Sequence, residues 1–326
     1  MRAPKSQTET RFAAGALFAL CVALALPAHA ADKVVVGKSV GTAWTFTPLD
    51  VGVHEGIFAK YGIDVEIAAF TGDAKLQQGL LSNSLQFGLG SGPSMAFAAK
   101  GAPVVAVAAF ANEPRNIGVT VGANSPIKTV ADLKGKLLAI STTGSLTEWL
   151  VKRIGTAEGW GADSIRRVAI GDAVQQTAAL RSGNVDGLMG AMENGYQLEE
   201  KHEGRVIVSM DKYVPHFVTH VIFARKDLVA SNPDEVKRFL QGFFGTLQWI
   251  KGHKKESLAI VQPVLNESPT VLEKTYDTQM PMMVLDGQFD PEGLELIKQS
   301  YVDLGTLPEK PKDEQMLTRQ FLPVRP

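Results

Sequence analysis

An α/β fold with a largely parallel sheet, built twice over and followed by a helical tail, is what the sequence predicts. Three observations predict it. Short β-branched or apolar runs alternate with helix-patterned stretches from residue 34 to about 190, the grammar of parallel strands joined by crossover helices. The same grammar returns about one hundred residues further on. From about 227 onward the pattern is helical alone. The chain has 326 residues, roughly two domains at about 150 residues each. Its 33 basic and 34 acidic residues leave a net charge of −1, so no basic excess tracks a phosphate backbone and nucleic acid is not an expected partner. One cysteine excludes an internal disulfide framework and a cysteine-rich metal cluster.

Residues 1–30 read as an address. Arg2, Lys5 and Arg11 stand against one acid, Glu9, ahead of an unbroken apolar and small run over 12–26. Pro27 ends the run and Ala28-His29-Ala30 follows. A charged n-region, an apolar h-region and a small-x-small site predict a cleaved secretory signal, with cleavage after Ala30. The run is shorter than the ~20 residues of a membrane span. Cys21 sits inside it after Leu20 rather than at its end after a small residue, so lipidation is not expected. Cleavage removes three basic and one acidic residue and takes the charge from −1 to −3. An exported chain left without cysteine fits a bacterial periplasm better than a disulfide-rich extracellular niche.

The elements follow in order. Val34-Val35-Val36 before Gly37 predicts a buried strand, and Ser39 to Thr45 a loop. Residues 46–60 predict a helix stopped by Tyr61-Gly62, and 63–70 a strand. Helices over 74–82 and 93–100 alternate with strands over 85–89 and 103–110. The second half repeats this: strand 137–140, a Thr/Gly/Ser loop, helix 146–158, strand 165–170, helix 172–182 and strand 185–189. Lys33 precedes Gly41 by eight residues, as Lys136 precedes Gly144; Ser82 precedes Gly90 by eight, as Ser182 precedes Gly190. Four anchors in the same order point to two similar lobes. The tail predicts helices over 233–252, 254–265, 270–283 and 291–304. Asn232-Pro233 is a helix start with proline at the first helical position. Phe239, Leu240, Phe243, Phe244, Leu247 and Ile250 form an apolar stripe that predicts core.

Several segments resemble a known family. Gly56-Ile57-Phe58-Ala59-Lys60-Tyr61-Gly62-Ile63-Asp64-Val65-Glu66, a Gly-rich strand end and the Ala98–Val104 turn look like the first lobe of periplasmic solute-binding proteins of ABC importers, in the nitrate/sulfonate/taurine-type branch. In the second lobe, residues 125–145 (SPIKTVADLKGKLLAISTTGS) and 181–187 (RSGNVDG) resemble the same group. The likeness spans about residues 33 to 250. It departs at Gln86, where the family has Asp, and at Asn83, where it has Gly; both read as scaffold positions. The resemblance implies a two-lobe periplasmic binding fold of the type II-like kind, with hinge strands and the C-terminal helices on lobe one. Lobe one would be 31–113 plus 217–326, lobe two 114–216, and the hinges would cross near Asn112 to Ile117 and near Pro215 to Thr219. Lobes joined in this way close by hinge bending around a ligand.

The cleft residues can then be named. In open α/β sheets ligand sits outside the carboxyl ends of the strands, where loops lead into helix N-termini that favour anions. Three loops carry small polar residues: Gly41-Thr42-Ala43-Trp44-Thr45, Ser91-Gly92-Pro93-Ser94 and Ser141-Thr142-Thr143-Gly144-Ser145. Glycine admits close backbone approach, and the hydroxyls donate to an anion. Thr42, Thr45, Ser91, Gly92, Thr142, Thr143, Gly144 and Ser145 are therefore expected ligand contacts, with helix capping as the competing use of the same residues. Trp44 offers a ring to stack on an organic solute, burial against the neighbouring helix being the alternative. Asn112 lies at the first hinge, and His216 and Thr219 at the second. Glu193 follows strand 185–189; it suits a cationic or amino-bearing group, or a first-lobe partner on closure. His216 and His220 stand four apart in a stretch that alternates like a strand, so they share a face without meeting as helical zinc ligands do. With no HExxH and no cysteine beyond the leader, no metal is assigned.

The expected function is the periplasmic substrate-binding component of an ABC transporter. It would capture a small anionic organic solute (a sulfonate or carboxylate, or nitrate) and deliver it to a permease and its ATPase. No catalytic residue or cofactor is expected, and a monomer is. Two alternatives stay open: a binding protein for a thiamine-precursor-like pyrimidine, and an enzyme on the same fold. Enzymes resembling this fold make the thiamine pyrimidine or act in menaquinone synthesis, but the former resemble a cysteine-rich motif absent here, and the leader argues against a cytosolic pathway. GxSxG, a P-loop and a strand–helix GxGxxG are also missing. A sensor role, presenting ligand to a kinase or chemoreceptor, has the same sequence signature.

Overall fold

A computed structural model describes residues 31–326 together with Met1; the expected leader, residues 1–30, lies, apart from Met1, outside the described residues, Cys21 included. Strand β1 (Asp32–Lys38) opens the chain, with its three valines inward or half-inward. It is followed by α1 (Pro48–His54), β2 (Ile63–Ala69), α2 (Asp73–Leu81), β3 (Phe87–Ser91), α3 (Met95–Ala99) and β4 (Val104–Ala111). The chain then crosses to β5 (Ile117–Gly122), β6 (Leu137–Ile140), α4 (Leu146–Ala157), β7 (Arg166–Ala169), α5 (Ala173–Arg181), β8 (Gly187–Ala191), α6 (Met192–Glu200) and β9 (Gly204–Ser209). It crosses back through β10 (His220–Arg225) and finishes in α7 (Lys226–Ser231), α8 (Pro233–Gly252), α9 (Lys254–Leu265), α10 (Pro269–Gln279), α11 (Pro291–Asp303) and α12 (Asp313–Met316). None of these helices is long and apolar enough to cross a membrane.

Two five-stranded sheets result, in the orders β2-β1-β3-β10-β4 and β7-β6-β8-β5-β9. In the first, β1 runs parallel to β2 and β3, and β10 is antiparallel to β3 and β4. In the second, β6 runs parallel to β7 and β8, and β5 is antiparallel to β8 and β9. Each sheet thus receives, in its fourth place, a strand that has just crossed from the other. This is the repeat the sequence anchors foretell: Ser82 and Ser182 close α2 and α5, and Gly90 and Gly190 lie in β3 and β8.

The two departures from the family pattern keep this symmetry. Gln86 Oε1 accepts the Val35 N–H at 2.8 Å, and Asp186 Oδ2 accepts the Leu137 N–H at the same 2.8 Å. Glutamine therefore does in the first half what aspartate does in the second. Asn83 takes φ 61°, where its counterpart Gly183 has φ 73°; asparagine tolerates the left-handed region better than other side-chain-bearing residues.

Element bounds shift where glycine intervenes. The helix expected over 46–60 is a 3-10 turn (Trp44–Phe46), α1, and a second 3-10 turn (Phe58–Tyr61). It breaks at Gly56, with φ 62°, and the chain folds back so that the Phe58 ring packs on Gly52. The expected stop at Tyr61-Gly62 stands, with Gly62 left-handed at φ 67°. The 270–283 helix ends earlier, at Gln279, in a 3-10 turn carrying Pro281. β5, α6, β9, α7 and α12 come in addition to the expected elements. The core expectation for α8 holds: its stripe is buried, and Phe239 stacks on Phe87 at 4.0 Å and on Phe58 at 5.6 Å. Asn232 caps this helix, accepting the Glu235 N–H at 3.3 Å.

Candidate functional site

The two sheets meet at the carboxyl ends of β1 and β8, and polar side chains gather there. The 3-10 turn after β1 presents the Trp44 N–H, which donates to Glu193 Oε1 at 3.3 Å. Glu193 stands in the first turn of α6, immediately after β8, where the helix dipole favours a carboxylate. The α6 N-terminus is held by the first crossing segment, since the Met192 N–H donates to the Asn116 carbonyl at 3.0 Å. Next to Trp44, the fully buried Thr45 hydroxyl donates to Gln279 Oε1, at the end of α10, at 3.0 Å. Asn116 Nδ2 lies 3.5 Å from Thr45 Oγ1 and 2.9 Å from His220 Nε2. His220, the first residue of β10, is stacked on Phe110 at 5.6 Å and meets the edge of Phe46 at 5.0 Å.

Burial sets the electrostatics. It raises the Glu193 carboxyl above its ordinary range; the helix backbone, the nearby Gln279 amide and the Trp44 N–H oppose the rise. It pushes the His220 imidazole down to about 3, against a smaller opposing influence from the Gly90 backbone. Four buried atoms of this cluster lack a well-formed hydrogen bond among the described residues: Glu193 Oε2, Asn116 Oδ1, Gln279 Nε2 and His220 Nδ1, although the Gln279 amide lies near the Glu193 carboxyl and the Gly90 backbone near the His220 ring. Buried polar groups are nearly always paired, so their concentration at one junction is the chemical signature of the place.

Above the junction, α6 and α10 form a polar seam. Tyr196 Oη and Thr278 Oγ1 lie 2.8 Å apart, and the Lys274 ammonium sits 4.2 Å above the Tyr196 ring while pairing with Glu199. Ser268 Oγ donates to Glu200 at 2.6 Å.

The expected site residues fall into two groups. Trp44, Thr45 and Glu193 meet at the junction. Trp44 is buried there, its ring edge-on to Tyr276 at 5.7 Å, and Glu193 accepts from the Trp44 N–H. The others engage protein neighbours or solvent. Thr42, Thr142, Thr143 and Gly144 are exposed. The Ser91 hydroxyl donates to Asp73 Oδ2 at 2.7 Å. Both backbone groups of Gly92 are in use: its N–H donates to the Thr219 carbonyl at 2.8 Å, and its carbonyl accepts from Tyr301 Oη at 3.2 Å. Ser145 caps α4, accepting the Glu148 N–H at 3.4 Å, while the Gly144 N–H donates to Glu148 Oε2 at 2.6 Å. Asn112 reaches the Gln288 carbonyl at 3.4 Å, and the Thr219 hydroxyl donates to the Phe217 carbonyl at 3.3 Å. His216 is exposed and pairs with Asp290 at 2.8 Å, a contact that raises its pKa. His216 and His220 do not share a face, because β10 begins only at His220, which is buried.

Loss of the Ser145 cap by Ser145→Ala is expected to lower stability by about 1 kcal/mol, read as a fall in the urea midpoint at unchanged slope. No change would mean that the long contact to Glu148 carries no capping energy.

Asn116, Gln279 and His220 as a site residue escaped the sequence reading. Asn116 lies inside the first expected hinge and His220 directly after the second, and that position is the one signal they gave. Gln279 gave none, being one polar residue on a tail helix.

The family model described as NMT1/THI5 like matches residues 44–257. The chain is 27% identical to a putative aliphatic sulfonates-binding protein of Bacillus subtilis over 253 residues, 74% of each chain. It is 25% identical to a formylaminopyrimidine-binding protein of Halalkalibacterium halodurans, covering 76% of this chain and 75% of that one. The fold matches the periplasmic aliphatic sulphonate binding protein SsuA of Escherichia coli with a TM-score of 0.76 at 20% identity, over 88% of this chain and 92% of the other. The architecture is that of the periplasmic binding proteins.

Proposed function

The chain belongs to the NMT1/THI5-like family, and from that premise we propose that it is the periplasmic solute-binding component of an ABC importer. It captures a small organic solute between two lobes and presents it to a permease and its ATPase. The lobes in this reading are residues 31–113 with 217–326, and residues 114–216, and they close by bending where the chain crosses between the sheets. The protein acts as a monomer, leaving the rims of both lobes free for the permease, and turns nothing over. The names of the Bacillus and Halalkalibacterium relatives support the reading. The observation that carries it is the set of buried, unpartnered polar atoms at the junction of the two sheets. Each such group costs about 1–3 kcal/mol if left unsatisfied, and a solute that pairs with them removes that cost.

Two solute classes compete. An anionic sulfonate or carboxylate is favoured by the Bacillus relative's name. An amino-bearing pyrimidine is favoured by Glu193, a buried carboxyl with one oxygen unpartnered among the described residues, and by the Halalkalibacterium relative's name. Glu193→Gln separates them, because it removes the charge and keeps the shape. An amino-bearing solute is expected to lose roughly 1.5–3 kcal/mol of binding, the worth of a hydrogen bond to a charged group, while an anion gains affinity as repulsion is removed.

A thermal-shift screen of the purified protein against sulfonates, carboxylates, nitrate and pyrimidines precedes this titration. Saturation at a hundred times the dissociation constant adds about 2.7 kcal/mol of stability. Recovery of the solute unchanged after prolonged incubation is the expected result; a converted product would overturn the non-enzymatic reading.

A further inference from the structure

We infer that His220 is a positioning residue that sets the direction of a buried hydrogen-bond relay, and that the relay thereby selects a neutral solute presenting an N–H donor beside an acceptor, such as a primary carboxamide or an amino-heterocycle. The inference rests on the reading of the junction as the solute cleft.

The direction follows from atom types. Asn116 Nδ2 only donates, and it lies 2.9 Å from His220 Nε2. With the Asn116 amide in this orientation that nitrogen accepts, which leaves the ring proton on Nδ1. The second Asn116 hydrogen is directed to Thr45 Oγ1, at 3.5 Å. The Thr45 hydroxyl in turn donates to Gln279 Oε1 at 3.0 Å. One choice of tautomer at His220 thus orients two amides and a hydroxyl. With both of its hydrogens engaged, Asn116 has Oδ1 left to accept; with its oxygen engaged, Gln279 has Nε2 left to donate. Both atoms are buried and lack a well-formed hydrogen bond among the described residues, as does Glu193 Oε2; the Gln279 amide lies near the Glu193 carboxyl and keeps its second hydrogen for the solute.

A solute with N–H donors flanking an acceptor satisfies all three atoms. A bare sulfonate, which only accepts, pairs with Gln279 alone and confronts the Asn116 and Glu193 oxygens. The opposite tautomer would turn the Asn116 amide over, aim its hydrogens at the solute and favour the anion. Two features hold the ring as described: the Phe110 and Phe46 rings fix its plane, and burial keeps it neutral.

The test has two arms. Nitrogen NMR of histidine-labelled protein reads the tautomer without any ligand; Nδ1–H is expected, and Nε2–H overturns the inference. Calorimetric titrations then use nicotinamide, cytosine and ethanesulfonate as probes. Wild type is expected to prefer nicotinamide or cytosine over ethanesulfonate by at least about tenfold. His220→Phe keeps the ring stack and lets Asn116 turn, so the ratio falls toward one. His220→Gln supplies an acceptor oxygen and restores the preference. A His220→Phe protein that loses affinity for every probe by the same factor makes the ring merely structural and overturns the inference. If that variant does not fold, Asn116→Ala, which removes the oxygen that the relay presents to the solute, is titrated instead, with the same fall of the ratio expected and an unchanged ratio against the inference. Binding of ethanesulfonate alone by wild type leaves the cleft reading standing and removes this inference; binding of no probe removes both.

Discussion

Gly92→Ala is expected to destabilise the protein by roughly 4 kcal/mol or more, beyond the usual 1–3 kcal/mol of core overpacking. A Cβ at this position would lie 1.8 Å from the Val218 carbonyl oxygen and 2.6 Å from Ile297 Cδ1. The first of these is backbone and cannot swing aside. It belongs to the second crossing segment, which passes between Gly92 on one side and Gly293 of α11 on the other; a Cβ on Gly293 would lie 3.0 Å from the Phe217 and Val218 nitrogens. The same substitution at Gly245 in α8 is the control. There a Cβ finds its nearest neighbour at 3.4 Å, and alanine is expected to stabilise by about 0.5–1 kcal/mol through helix propensity. Urea unfolding of the two variants checks both. A Gly92→Ala unfolding free energy within about 1 kcal/mol of wild type would mean that the crossing segment yields, and that glycine is not required for its passage.

Gly92 also illustrates what the sequence could show. As a small residue in a loop at a strand end it reads as a place for close backbone approach, and close approach is what the fold uses it for, with the chain's own crossing segment as the partner. Strands and helices with a clean period were legible: β6, α8 and α9 fall within the expected bounds, and the Ser82/Ser182 and Gly90/Gly190 anchors lie at equivalent places in the two sheets. β5 carried a readable alternation of Ile117, Val119 and Val121 that the expected elements omitted. α6 was harder, because Asn194 and Gly195 in its first turns are poor helix formers. Its helix is set by packing, with Gly195 close against Thr120 of β5.

The site was half legible for the same reason. Trp44, Thr45 and Glu193 follow strands, so local pattern places them at carboxyl ends. Asn116 meets His220 across 104 positions, and Thr45 meets Gln279 across 234. No local period encodes such encounters, which depend on the tail returning over the junction.

The second large effect is acid lability centred on His220. Burial pushes this imidazole from an ordinary 6.5 down to about 3, so between those values the unfolded chain binds a proton that the folded chain refuses. Stability from this group is fully present above about pH 6.5 and is lost as pH falls toward 3, at about 1.36 kcal/mol per pH unit. By pH 4 the loss is about 3 kcal/mol.

The groups packed on the ring are neutral: Asn116, Phe46, Phe110 and the Gly90 backbone. Glu193 works in the opposite direction. Its raised pKa means the folded chain holds a proton that the unfolded chain gives up above about 4.5, so acidification down to that value favours folding and partly masks the histidine. Below about pH 4.5 Glu193 is protonated in both states and its influence is flat. Acids held below their ordinary range, such as Asp313 beside Lys298 and Arg319, add their own loss only as pH falls below about 3.8.

His220→Phe isolates the effect, since every other titration is common to both proteins. Wild-type stability is expected to fall by about 1 kcal/mol more than the variant's for each unit of pH between 4.5 and 3.5, measured by urea unfolding at fixed ionic strength. Parallel curves would mean that the imidazole accepts a proton in the folded state. It could then no longer accept from Asn116, and the relay that orients Asn116, Thr45 and Gln279 would lose its fixed end.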